Sequence, residues 1–60
     1  MTQDDFLTAL EQELQIRGAR FNRADLLAFV ADVWPLAEED PDVTFWAREF
    51  IDTGHATMTA

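Results

Sequence analysis

The stretch "EEDPDVTFWARE", Glu38 to Glu49, decides how this chain is read. Glu38, Glu39, Asp40 and Asp42 crowd its first half, Pro41 divides them, and the aromatic pair Phe45-Trp46 follows. Wrapped around a cation, the stretch is a binding loop. Placed between two helices, it is a connection whose acids sit at the positive end of the second helix.

The connection reading sets a helix over residues 41–53. Asp40 before Pro41 suits a cap with proline in the first turn, and Asp42 and Thr44 are further caps. Val43, Trp46, Ala47, Phe50 and Ile51 then share one face. Phe45 falls off that face. Thr53-Gly54 supplies the stop, because glycine accepts the left-handed conformation that ends helices.

Working back along the chain, Asn22 followed by Asp25 predicts a second helix start, with Phe21 stapled onto Leu26. Leu26, Leu27, Phe29, Val30, Val33 and Trp34 cover much of that helix, which places it at the centre of a bundle. Pro35 disfavours helical geometry at Trp34 and predicts an end or a kink there, with "LAEED" as a further turn in the second case. A first helix opens with Thr2 as cap and Asp5 three residues on. Phe6, Leu7, Leu10 and Leu14 mark its face, and Arg17-Gly18 its end. The expected fold is all-α: a small three-helix bundle with helices at about 3–17, 23–34 and 41–53. Residues 1–54 form the single domain and residues 55–60 a frayed tail.

The opening stretch also resembles an EF-hand. Such a loop takes acids at positions 1, 3, 5 and 12, glycine at 6 and an apolar residue at 8. Here Glu38, Asp40, Asp42 and Glu49 fall at the four acidic positions and Phe45 at the apolar one. Val30 and Trp34 lie on the entering helix, and Phe50 and Ile51 on the exiting one. The resemblance implies calcium held by Glu38, Asp40, Asp42 and Glu49. It departs at position 6, where β-branched Val43 resists the positive φ of the turn, and at Pro41. An internal echo, "RFNRADLLA" against "TFWAREFID" at an offset of 24 residues, pairs Phe21 with Phe45 and Asp25 with Glu49.

Composition narrows the function. Twelve Asp and Glu face four Arg, for a net charge of −8. Lys is absent, and from Ala24 onward eight acids face Arg48 alone. A phosphate backbone needs clustered cations, so nucleic acid is not an expected partner. Without Cys and with one His, thiolate or histidine-rich metal sites are excluded. Ser, Cys, Lys and Tyr are all missing, which removes the usual activated nucleophiles, so no enzyme is expected. The start "MTQDDF" is acidic where a secretory signal is basic, and no apolar run spans a bilayer. The expected location is the cytoplasm, away from membranes, and no cofactor is required.

Phe29, Trp34, Phe45 and Trp46 are the candidate interaction residues, since large aromatics anchor interfaces. Arg17, Arg20 and Arg23 read as a solvated cluster paired with local acids such as Glu13. His55 reads as an isolated tail residue. The expected function is a non-catalytic protein-interaction module whose partner is another protein or a second copy in a homodimer. Calcium binding at 38–49 and acidic mimicry of nucleic acid toward a basic protein are the alternatives.

Overall fold

A computed structural model describes residues 1–58. The chain runs α1 (Gln3–Ile16), β1 (Ala19–Phe21), α2 (Arg23–Ala37), α3 (Val43–Asp52) and β2 (Ala56–Met58). Each helix begins where a short polar side chain replaces a missing backbone acceptor. The Thr2 hydroxyl accepts from the Asp5 N–H at 3.1 Å, and the Asp5 carboxylate accepts in return from the Thr2 N–H at 3.4 Å. Asn22 accepts from the Ala24 N–H at 2.8 Å, and Asp42 from the Phe45 N–H at 3.2 Å. These side chains satisfy donors that have no intrahelical partner.

Of the three candidate caps for α3, Asp42 is therefore the one used. The Asp42→Ala substitution is expected to cost about 1 kcal/mol. In a domain this small that lowers the thermal midpoint by about 4–8 °C. A circular-dichroism melt checks this, and an unchanged midpoint would transfer the cap to Asp40 or Thr44.

The core is built from Phe6, Leu10 and Leu14 of α1, Leu26, Val30 and Ala37 of α2, and Ala47 and Phe50 of α3. The α1 residues recur every fourth position and so line one stripe. That stripe packs on both α2 and α3, whereas α2 and α3 touch each other less. The central helix is thus α1 and not α2, contrary to the sequence expectation. The apolar residues of α2 are spread around its axis. Leu26, Val30 and Ala37 lie within about 40° of one another at 100° per residue, while Leu27 projects outward. Leu27 is accordingly exposed, as is Leu36.

The α2 helix also runs past its expected end at Trp34 to Ala37. Pro35 has no N–H for the Ala31 carbonyl, but both residues face solvent, where water can take that carbonyl. Continuing the turn buries Ala37 completely and lets the Glu38 N–H reach the Trp34 carbonyl at 2.8 Å. Solvent access removes most of the cost of the missing bond, so burial prevails.

The fold is mostly helical but not purely so. Strands β1 and β2 form a two-stranded antiparallel sheet, with Ala19 opposite Met58, Arg20 opposite Thr57 and Phe21 opposite Ala56. The expected all-α bundle gains a sheet, and residues 56–58 of the expected frayed tail are a paired strand. Thr59 and Ala60 of that tail lie outside the described residues. The cause is symmetrical. Gly18 at φ 73° and Gly54 at φ 87° turn the chain sharply out of α1 and α3. Both segments leave extended, and the Phe21 ring meets Phe50 edge-on at 5.9 Å between centroids. The sheet ties the α1–α2 connection to the segment after α3. No described helix is long and apolar enough to cross a membrane.

Candidate interaction surface

Once Asp42 fixes the start of α3, the direction of each of its side chains follows. Ala47 and Phe50 point into the core. Trp46, about 100° from Ala47 around the axis, falls at the edge, and Phe45 lies a further 100° round. Phe45 is consequently 49% exposed.

The edge residues touch. The Phe45 ring packs on Trp46 at 5.0 Å between centroids, nearly perpendicular at 85°. Trp46 meets Phe29 of α2 at 6.2 Å and 67°. Phe29 then meets His55 at 5.8 Å. Four rings from α2, α3 and the turn into β2 thus form one string along the junction of the two helices. Phe45 and His55 are exposed, and Trp46 and Phe29 half-buried. The perpendicular contacts place ring edges on ring faces, the arrangement aromatic quadrupoles favour.

Three of the four candidate interaction residues are therefore brought together: Phe29, Phe45 and Trp46. Trp34 is not. It lies about 140° from Phe29 around α2, and packs on Phe6 of α1 at 5.5 Å. His55 belongs to the string although the sequence presented it as an isolated tail residue. Its imidazole stacks on Phe50 at 5.3 Å and 20°. Gly54 was the available signal, since its left-handed turn folds the chain back over the end of α3. What it folds back onto is a tertiary matter.

Acids flank the string. On α2, Asp25 and Asp32 stand one turn either side of Phe29 on its outer edge. On α3, Asp42 and Glu49 border Phe45 and Trp46. The ion pairs of the described residues join Arg17 with Glu13 at 3.3 Å, Arg23 with Glu11 at 3.1 Å, and Arg48 with Asp52 at 3.6 Å, the last beginning one turn along α3 from Phe45. Arg17 also donates to the Thr44 carbonyl at 3.2 Å. Arg17 and Arg23 of the solvated cluster are thus engaged with local acids, and Arg20 is exposed on β1.

The four candidate calcium ligands do not converge. Glu38 ends α2, and the Asp40 N–H bonds the Ala37 carbonyl at 3.1 Å within the turn. Asp42 is engaged as the cap, and Glu49 lies two turns into α3. Among the described residues no group of three or more Asp, Glu or His side chains could hold a metal ion. The reason is Val43. No described non-glycine residue adopts positive φ, so the chain never makes the turn that would curl the loop around an ion. It starts a helix instead, and everything from Val43 to Glu49 is helical.

The internal echo dissolves for a related reason. Cap to cap, Asn22 to Asp42 is an offset of 20 residues (42 − 22), not 24, so the echo aligns a strand residue, Phe21, with a helical one, Phe45.

No pocket opens among the described residues. No protein-family model, curated protein or solved structure matches the chain.

Proposed function

We propose that the chain is a non-catalytic protein-interaction module that docks a partner through the Phe45–Trp46–Phe29 surface. The single observation that supports this most is Phe45: a large aromatic half in water, at the outer end of an unbroken string of rings. Burying what remains exposed of that side chain would contribute about 1 kcal/mol. Trp46 adds the residue type most enriched at binding hot spots. The rings already hold one another in place, so little side-chain freedom is lost on docking.

Two measurements test the reading. Phe45→Asp retains the helical circular-dichroism spectrum and loses at most about 1 kcal/mol, a midpoint shift within about 8 °C. An unfolded variant would make Phe45 part of the core. A photo-crosslinking benzoylphenylalanine placed at position 45, in the cells that make the protein, forms a discrete protein adduct. The same group at Gln12, exposed on α1, does not. Equal labelling from both positions, or none from 45, overturns the docking surface.

A further inference from the structure

We propose that the occupant of this surface is a basic segment of another protein, with arginine side chains laid on the exposed rings and paired with the flanking carboxylates. The inference rests on the docking reading above and specifies its partner. Its basis is charge. Asp25, Asp32, Asp42 and Glu49 line the string, and none of them has an ion pair among the described residues. Arg17 and Arg23 are engaged with other acids, and Arg48, one turn from Phe45, sets a single positive charge against these four acids while paired with Asp52 at 3.6 Å. The surface is therefore apolar along its axis, with carboxylates one turn before and after its rings on both helices and a net negative charge.

Of the possible occupants, three chemistries match poorly. A second copy brings another −8 net charge, and a two-fold interface would set the acidic margins against themselves. Nucleic acid and anionic lipid present phosphates to carboxylates. A neutral apolar segment would cover the rings but leave the carboxylates beside a drier, lower-dielectric boundary without partners. A basic segment satisfies both parts. Arginine suits it better than lysine, because a planar guanidinium stacks on an aromatic face while its edge pairs with a carboxylate in a fork. The alternation of rings and acids across the α2–α3 junction matches that two-sided chemistry.

The test is titration of the full chain, followed by two-dimensional amide and indole nuclear magnetic resonance, with three synthetic peptides of equal length. One alternates Arg with Leu, one replaces each Arg by Lys, and one replaces each Arg by Gln. The Arg peptide is expected to shift the Trp46 indole and the Phe29, Phe45 and Glu49 amides. The Lys peptide binds the same residues about three- to fivefold more weakly, as loss of stacking on exposed rings implies. Raising salt from about 50 mM to about 500 mM weakens both by at least about tenfold, because exposed charge pairs are screened. Asp32→Asn, in the middle of α2, weakens the Arg peptide and leaves the melt unchanged.

Equal binding of the Gln peptide at the strip would overturn the basic partner and leave the docking surface standing. Shifts from the Arg peptide centred on Glu38 to Asp40, or no shifts, would overturn the occupant, with the position-45 crosslink deciding the surface separately. Concentration-dependent shifts at the strip without peptide would replace the basic segment by a second copy.

Discussion

Phe50→Ala is expected to abolish the cooperative thermal unfolding of this domain. Phe50 is completely buried and touches three other rings: Phe21 edge-on at 5.9 Å, Phe29 at 5.0 Å and stacked His55 at 5.3 Å. Replacing a buried Phe by Ala costs about 3–5 kcal/mol, from lost transfer energy and from the cavity left behind. A core of this size supplies about 3–5 kcal/mol in total. The loss equals the reserve. The variant should show a sloping, non-sigmoidal melt and a collapse of amide dispersion at room temperature. A sigmoidal transition near that of the unsubstituted protein would mean that α1 and α2 alone carry the fold. Phe45→Asp is the contrast, five residues away on the same helix, because its side chain already stands half in water.

The second large effect is expected from a chain ended at Gly54. It lacks β2, so the backbone groups of β1 that bond to that strand return to water. It also lacks His55 over Phe50. Each net backbone hydrogen bond contributes about 1 kcal/mol and an aromatic stack about 0.5–1.5 kcal/mol. A combined loss of about 2–3 kcal/mol lowers the midpoint by about 10–20 °C. Hydrogen exchange of the Ala19–Phe21 amides should accelerate more than that of the Phe6–Leu14 amides, since the strand opens before the core helix. An unaltered midpoint would return residues 55–58 to the status of a loose tail and remove the sheet from the energetics. The two experiments divide the stability of the domain between its core and its clasp.

The local features of the helices were legible in the sequence because they depend on neighbours in the chain. Thr2 with Asp5, Asn22 and Asp42 caps the helices through contacts spanning three residues or fewer. Gly18 and Gly54 end α1 and α3 through their own backbone freedom. The outward direction of Phe45 follows from helical periodicity once the start of α3 is fixed. The failure of Glu38, Asp40, Asp42 and Glu49 to converge was legible in part too, in Val43 and Pro41.

Longer-range features were not legible, and each turns on what lies across from a residue. Three-residue strands carry too little alternation to announce themselves. The pairing of Ala19–Phe21 with Ala56–Met58 joins segments separated by the whole of α2 and α3. Pro35 signals a helix end by local rules, yet the burial of Ala37 carries α2 through it. Trp34 and Phe29 look equivalent in an apolar run, but one packs on Phe6 and the other joins Trp46 and His55. Sequence by itself determined the three helices, the caps of α1 and α2 and the outward aromatic, since these follow from dihedral preference and periodicity; among Asp40, Asp42 and Thr44 it left the cap of α3 open. Tertiary structure alone decided the sheet, the central helix and the company of each ring, because these depend on packing between segments whose separation no local pattern encodes.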